Sequence, residues 1–155
     1  MDTKDVEILV ALQRDGRRTQ QDLAQRVTLS QPAVAERIRK LEERGLITGY
    51  VARVDPEKIG LDVTAFVWVG ISHPKHFDGF ARRIMDLPEI QEAHRVAGRD
   101  SYLLKVRTRN TSSLDRLLVG TLRTIPGVTR TETTVVLTSI KEDTFLPVSH
   151  PEAFS

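Results

Sequence analysis

Ser30-Gln-Pro-Ala-Val-Ala-Glu-Arg-Ile-Arg-Lys-Leu-Glu-Glu-Arg-Gly45 is the stretch around which the first half of the chain is organised. Ser30 can cap a helix, Pro32 fits a first turn that needs no amide donor, and Gly45 can end the helix in a left-handed conformation. One apolar stripe with the spacing i, i+4 and i+7 consists of Val34, Ile38 and Leu41. The pattern predicts an amphipathic helix.

A shorter helix precedes this one. Thr19 can cap it, and its apolar stripe consists of Leu23, Ala24 and Val27. A single amphipathic helix is most often a solvated surface helix, but here only the tight turn Thr28-Leu29-Ser30 separates two of them. Two short helices joined in this way predict a helix-turn-helix, whose second helix enters the major groove of double-stranded DNA.

The outer face of the second helix suits DNA. Small residues near its start allow close approach to base edges, and the cations further along suit phosphates. Arg17 and Arg18 lie where a DNA backbone could pass, and the alternative is that they are solvated loop residues. The predicted DNA-contacting residues are Arg17, Arg18, Gln31, Pro32, Ala35, Glu36, Arg39, Lys40 and Arg53.

The flanking segments complete an N-terminal domain over residues 1–54. Asp2 or Thr3 can cap a first helix that runs to about Asp15. After Gly45, the segment Leu46–Val54 predicts two short strands around Thr48-Gly49, a hairpin that would form a wing with Arg53 near its end. These elements together predict a winged helix-turn-helix domain.

Residues 55–62 are predicted to be a linker, because a turn-prone Asp-Pro and a glycine coincide there with a change of periodicity. Beyond it, over residues 63–143, strands and helices alternate. Strands are predicted at Val63–Ser72, Ile90–Ala97, Ser101–Arg109 and within Val128–Ile140, and helices at His76–Leu87 and Leu114–Ile125. The order βαββαβ predicts a ferredoxin-like domain, with both helices on one face of an antiparallel sheet, and hence an α+β protein. Residues 144–155 are rich in proline and serine and are predicted to be an irregular tail.

The free face of this sheet is expected to be covered. Phe66 and Trp68 alternate with Val67 and Val69 in the first strand, and apolar residues alternate in the same way after Thr134, at Val135, Val136, Leu137 and Ile140. A solvated face would show polar residues instead. Because the chain has no further element to cover this face, we expect a homodimer.

Composition excludes several other classes. The 155 residues carry a net charge of +2 and no cysteine, which excludes disulfides, thiolate metal sites and a cysteine nucleophile. No apolar run approaches the length of a membrane helix, and the charged N-terminus lacks a signal region, so we expect a cytoplasmic protein with no membrane partner. The four histidines, His73, His76, His94 and His150, show no metal-ligand spacing. We expect no metal, no cofactor and no enzymatic activity.

Three segments carry a resemblance to a known family: LSQPAVAERIRKLEERGLITGY, AGRDSYLLKV and IPGVTRTETTVVL. They resemble the Lrp/AsnC (feast/famine) transcriptional regulators over nearly the whole chain. The resemblance implies a winged helix-turn-helix joined to a ferredoxin-like effector domain, and dimers that assemble into octamers. It also implies that an amino acid or a related small molecule binds between subunits.

The chain departs from this family in the effector loop. The family pattern Gly-x-x-Asp becomes Gly98-Arg99-Asp100-Ser101 here, so serine stands at the aspartate position. We expect Asp100, more than Ser101, to hold an amino group, and Arg99 either to meet a carboxylate or to be a solvated turn residue. Thr131 and Thr133 resemble the pocket-facing stretch of the family, and structural strand threonines are the alternative.

Two other functions are alternatives to an effector-responsive regulator. An architectural DNA-binding protein without an effector is compatible with the departure at Ser101. An enzyme is disfavoured, because no acid/base pair, nucleophile or phosphate loop is present in the sequence.

Overall fold

The computed structural model describes residues 1–148, and these form two compact units. One unit comprises Met1–Arg53 together with the segment that begins at Lys141, and the other comprises Val54–Ile140. Residues 149–155, with His150 and the end of the predicted tail, lie outside the described part. No helix within residues 1–148 has the length and apolar character needed to span a bilayer.

Three helices build the N-terminal unit: α1 (Thr3–Arg14), α2 (Gln20–Val27) and α3 (Gln31–Glu43). Each has the predicted cap, because Asp2, Thr19 and Ser30 accept hydrogen bonds from backbone N–H groups of the first turns. Their apolar stripes meet in one core, which consists of Ile8, Leu9, Ala11, Leu23, Ala24, Val27, Val34 and Leu41. The three predicted helices are confirmed.

The segment after α3 differs from the prediction. Gly45 ends the helix in the left-handed region as expected, but residues 46–54 form no strand, so the two short strands predicted there are wrong. Val51 is 90% exposed and Val54 64% exposed, so a hairpin here would have no face to pack on. A two-stranded hairpin without a supporting layer is marginal in water.

Residues 141–148 return to the N-terminal unit as an irregular segment. The amide of Gln13 on α1 exchanges two hydrogen bonds with the backbone of Leu146, at 2.7 and 3.0 Å. The guanidinium of Arg14 lies over the Phe145 ring, and Val148 packs against the helical core. The N-terminal unit is therefore completed by the other end of the chain.

The C-terminal unit has the predicted order: β1 (Val63–Ile71), α4 (Phe77–Met85), β2 (Ile90–Arg95), β3 (Tyr102–Thr108), α5 (Thr111–Asp115) and β4 (Val128–Val135). The sheet order is β2-β3-β1-β4 and every neighbouring pair is antiparallel, which confirms the ferredoxin-like fold. The predicted linker contains a 3₁₀ turn, Glu57–Ile59, that belongs to this unit. After α5 the helix becomes a π turn (Arg116–Thr121) and then a 3₁₀ turn (Leu122–Thr124).

One face of the sheet packs on the helices, and the other face is open. Ala65, Val67 and Val69 of β1 are fully buried under α4 and the helical segment after β3. Phe66, Trp68 and Leu103 lie on the open face, where their neighbours include Lys105 and Glu132. The open face is thus apolar only at its centre. The prediction of an alternating strand beyond Thr134 is wrong, because β4 ends at Val135 and both Leu137 and Ile140 are more than 90% exposed.

Candidate nucleic-acid interface and effector site

The turn between α2 and α3 is tight because a non-glycine residue adopts a left-handed conformation. Thr28 has φ 56° and ends α2, and the N–H of Leu29 donates to the carbonyl of Ala24 at 3.0 Å. Ser30 then begins α3 with its hydroxyl accepting from the N–H of Ala33 at 3.3 Å. This geometry leaves the first turn of α3 exposed at Gln31 and Pro32.

The outer face of α3 carries a network of ion pairs. The carboxylate of Glu36 accepts from Arg39 Nε at 2.9 Å and Nη2 at 2.6 Å, and Lys40 Nζ lies 3.4 Å from it. Arg39 also pairs with Glu43 one turn later. The hydrogen bonds from Arg39 lower the pKa of Glu36 to about 2. The two cations predicted to meet phosphates are therefore already paired, although all these side chains are exposed.

The structure brings several predicted DNA-contacting residues together. Arg18, Ala35 and Arg39 line one shallow groove of about 330 Å³ with Gln20 and Tyr50. The Tyr50 hydroxyl donates to Glu42 at 3.0 Å, and its pKa rises to about 12 because it is partly buried and lies beside this carboxylate. No sequence pattern indicated that Tyr50 lies in this groove, because it was expected to lie on a wing strand.

Two arginines have other partners. Arg37, on the side of α3 next to α1, forms ion pairs of 2.7 Å with Asp2 and with Asp5. The N–H of Asp5 and the Arg37 guanidinium lower the pKa of Asp2, and the two carboxylates raise the pKa of Arg37. Arg53 was predicted to contact DNA from a wing, but its guanidinium donates to the carbonyl of Glu142 at 2.8 Å. Arg53 therefore binds the segment of residues 141–148 that returns to the N-terminal unit.

The predicted effector loop borders a concavity of about 360 Å³ in the C-terminal unit. Its lining residues are Trp68, Val96, Ala97, Gly98, Arg99, Asp100 and Glu132. Trp68 and Glu132 are paired in β1 and β4, so both side chains project from the open face of the sheet. The concavity therefore combines an aromatic ring, small apolar groups and both signs of charge.

Asp100 is not free to bind a ligand. Both of its carboxylate oxygens lie 2.6 Å from Arg130 Nη2, and the Asp100 side chain is only 8% exposed. Gly70 of β1 lies next to this pair, since a Cβ atom built there would be 3.4 Å from Asp100 Oδ1. The expectation that Asp100 holds an amino group is therefore not supported by the geometry.

Ser101 is also engaged within the protein. Its N–H donates to the carbonyl of Val69 at 2.9 Å, and its hydroxyl accepts from the N–H of Ile71 at 3.3 Å. These bonds bracket the irregularity of β1 between Gly70 and Ile71. Ser101 thus fixes the loop to the end of β1, a role that the sequence pattern did not indicate.

Thr131 and Thr133 are not brought to the concavity. They pair with Val69 and Val67, whose side chains face the helices, and the hydroxyl of Thr131 accepts from Arg123 at 2.9 Å. The residues that the sequence reasoning missed are Trp68, Arg130 and Glu132. Alternation along β4 was the available signal, because residues 130 and 132 share the face that 131 and 133 do not.

Two family models match this chain. The model described as "Winged helix-turn-helix DNA-binding" matches residues 1–48, and "Lrp/AsnC ligand binding domain" matches residues 64–146. The leucine-responsive regulatory proteins of Escherichia coli and of Klebsiella pneumoniae are each 38% identical over 150 residues, which is 96% of this chain and 92% of theirs.

Solved structures agree with these matches. A transcriptional regulator from Neisseria meningitidis in complex with L-methionine has a TM-score of 0.91 at 31% identity, over 95% of this chain and 96% of its own. AsnC from Escherichia coli has a TM-score of 0.89 at 29% identity, over 95% and 99%. A feast or famine regulatory protein from Mycobacterium tuberculosis, complexed with L-methionine, has a TM-score of 0.87 at 36% identity, over 94% of this chain and 97% of its own.

Proposed function

This chain belongs to the Lrp/AsnC family of DNA-binding transcriptional regulators, and from that premise we propose which of its residues meet DNA, effector and partner subunit. The observation that carries the proposal is the exposed outer face of α3, which follows a tight helix-turn-helix corner. In this arrangement α3 lies in the major groove, and Gln31, Pro32, Ala35 and Glu36 approach base edges.

Arg39 and Lys40 bind phosphates once DNA enters. Their pairs with Glu36 are exposed and lie within one or two turns of the same helix, so a phosphate can replace the carboxylate at small cost. Arg17 and Arg18 are exposed in the loop just before α2 and extend the basic surface.

The test is the salt dependence of DNA binding. Arg39→Ala and Lys40→Ala should each weaken binding to specific and nonspecific duplexes alike, and flatten the slope of log K against log salt by roughly 1 unit. Arg83→Ala, an exposed arginine of α4 in the other unit, serves as the matched control. Unchanged slopes in both variants would show that this face does not meet the backbone.

The effector is an α-amino acid that binds in the concavity beside the β2–β3 loop. Glu132 accepts from the ammonium group, because Arg130 holds the buried Asp100 at 2.6 Å, whereas Glu132 lies 3.9 Å from the same guanidinium and its side chain is 60% exposed. Arg99 meets the carboxylate, and the side chain of the effector packs on Trp68. The relatives complexed with L-methionine support an effector with an extended apolar side chain.

Thermal shift against the twenty amino acids tests this site, since a ligand that binds only the native state raises stability by mass action. Calorimetric titration of the best ligand should then show loss of affinity of about tenfold or more in Glu132→Gln. Glu92→Gln, which changes another open-face carboxylate outside the concavity, should bind as wild type does. If no amino acid changes either stability or DNA affinity, the architectural alternative is favoured.

The partner subunit is a second copy that covers the open face of the sheet through a two-fold interface. Phe66, Trp68 and Leu103 form the apolar centre of this face, and charged side chains surround it. Such a dimer presents two recognition helices to a pseudo-palindromic site, and dimers can assemble further into octamers.

Light scattering of Trp68→Asp tests the interface. Because Val67 and Val69 rather than Trp68 face the helices, folded monomers should appear. Met85→Asp, which adds a charge at an exposed position on α4, should keep the wild-type mass. A folded Trp68→Asp protein of unchanged mass would contradict this interface.

A further inference from the structure

A second cavity, of about 520 Å³, lies in the C-terminal unit away from the effector concavity, with which it shares no lining residue. Its walls are the segment Leu87–Glu89 before β2, the end of β3 at Arg107–Arg109, and the helical segment after α5. Its volume falls in the range of small-molecule sites.

The charge of this cavity is unbalanced. Arg107, Arg109 and Arg116 line it, against the single carboxylate of Glu89. Within residues 1–148, Arg109 and Arg116 form no ion pair; Arg116 donates only to the hydroxyls of Ser112 and Ser113, at 3.2 and 3.0 Å. Two guanidinium groups are thus available to an anion.

The remaining lining is apolar, with hydroxyl groups at one wall. Leu61, Leu87, Pro88 and Leu117 provide the hydrocarbon surface, and Ser113 and Thr121 provide the hydroxyls. Arg107 is buried, with Nε donating to Gln91 at 2.7 Å, so it adds positive charge from a fixed position. A ligand that fits both the arginine side chains and the apolar lining has one compact anionic group and an apolar body.

The π turn places the functional groups on one wall. In an α-helix, Arg116 and Thr121 would lie about 140° apart around the axis, whereas an i→i+5 turn returns them to nearly the same side. The turn is anchored where the N–H of Leu122 donates to the carbonyl of Leu117. π turns are rare and occur frequently at functional sites.

We propose that this cavity binds a small organic carboxylate with an apolar body, whose carboxylate is held by Arg109 and Arg116. A planar carboxylate matches the fork of a guanidinium, and the apolar floor selects against inorganic anions. The site is independent of the effector concavity, where binding requires an ammonium group.

The test uses 4-methylpentanoate, which has a carboxylate and a branched apolar chain but no amine. Calorimetry at millimolar concentrations should show binding to the wild-type protein, and loss of affinity of about tenfold or more in the Arg109→Gln/Arg116→Gln double variant. Arg83→Gln is the matched arginine control, and Glu132→Gln tests independence from the effector site. Both should bind as wild type does.

Amide shifts in NMR spectra locate the ligand. The proposal requires the largest changes at Ser113, Leu117 and Thr121, and small ones at Gly98–Asp100. No binding, binding unaffected by the double variant, or loss of binding in Glu132→Gln would overturn it. Equal affinity for inorganic phosphate would overturn the assignment of an apolar body. If the melting curve of the double variant shows that its fold is disturbed, the single variant Arg109→Gln, which changes an exposed side chain, is titrated instead.

Discussion

The recognition helix and the β2–β3 loop both hold charged side chains in ion pairs, but the pairs differ in burial and in sequence separation. On α3, Glu36 pairs with Arg39 and Lys40 three and four residues away, and these side chains are about half exposed. In the loop, Asp100 pairs with Arg130, thirty residues away, and the Asp100 side chain is 8% exposed. An exposed local pair is exchanged easily with an external partner, whereas a buried distant pair fixes the structure.

This difference separates two predictions from the sequence, that Arg39 and Lys40 bind phosphates and that Asp100 binds an ammonium group. Arg39 and Lys40 remain suited to phosphate contacts although they are paired. Asp100 does not remain suited to an ammonium group, because its side chain is buried and Arg130 occupies both of its carboxylate oxygens. The same type of contact is therefore available for binding in one unit and structural in the other.

The largest effect should follow from breaking the buried pair. Asp100→Ala should reduce the free energy of unfolding of the C-terminal unit by about 2 kcal/mol, because Arg130 loses its two 2.6 Å hydrogen bonds to Asp100 and keeps the longer 3.9 Å pair with Glu132. Urea unfolding measures it. Adding Arg130→Met should recover part of the loss, since the partly buried guanidinium that has lost these hydrogen bonds is then removed, and Arg99→Ala should change stability little. If Asp100→Ala were as stable as the wild type, the Asp100–Arg130 pair would be as easily exchanged as the exposed ion pairs on α3.

The next effect concerns the exchangeable network. Glu36→Gln should raise the affinity for nonspecific DNA by roughly fivefold or less and steepen the salt slope, because Arg39 and Lys40 no longer compete for a carboxylate. Fluorescence anisotropy at several salt concentrations measures it. Glu7→Gln, a change on α1 away from this network, is the control. Weaker nonspecific binding in Glu36→Gln would show that the network does not restrain these cations.

Arg53 tests whether a third contact belongs to the fixed or the exchangeable class. Arg53→Ala should lower the stability of the N-terminal unit by about 0.5–1 kcal/mol, because a hydrogen bond to the Glu142 carbonyl is lost. The same variant should expose residues 141–148 to proteolysis. Its salt slope for DNA should match the wild type, and a slope lower by a full unit would return Arg53 to the DNA interface.

The smallest effect is the titration of Glu36. Its pKa of about 2 in the folded protein lies below the value of about 4.3 in the unfolded chain. The pairing therefore stabilises the folded protein in full at pH values above about 4.3. That contribution is lost as the pH falls from about 4.3 through about 2. In Arg39→Ala, NMR titration should show the pKa of Glu36 moving up towards its ordinary value. A pKa that stays near 2 in this variant would assign the shift to another group.

Local sequence pattern determined the elements and the family of this protein. The caps at Asp2, Thr19 and Ser30, the left-handed stop at Gly45 and the apolar stripes are all read within one or two helical turns, so the three N-terminal helices followed directly. The βαββαβ order followed from alternation in the same way. The wing strands did not, because strand propensity alone does not stabilise a hairpin that has no layer to pack against.

Tertiary structure alone decided which charges are available. No local pattern links Asp100 to Arg130 or Arg53 to Glu142, since these contacts join residues 30 and 89 positions apart. The assignment of Thr131 and Thr133 depended on strand register, and a difference of one residue moves a side chain to the other face of the sheet. The π turn that brings Arg116 and Thr121 to one side of the helix likewise cannot be predicted from the spacing of apolar residues. Sequence specifies elements through short-range patterns, whereas the partners of a side chain are set by long-range packing.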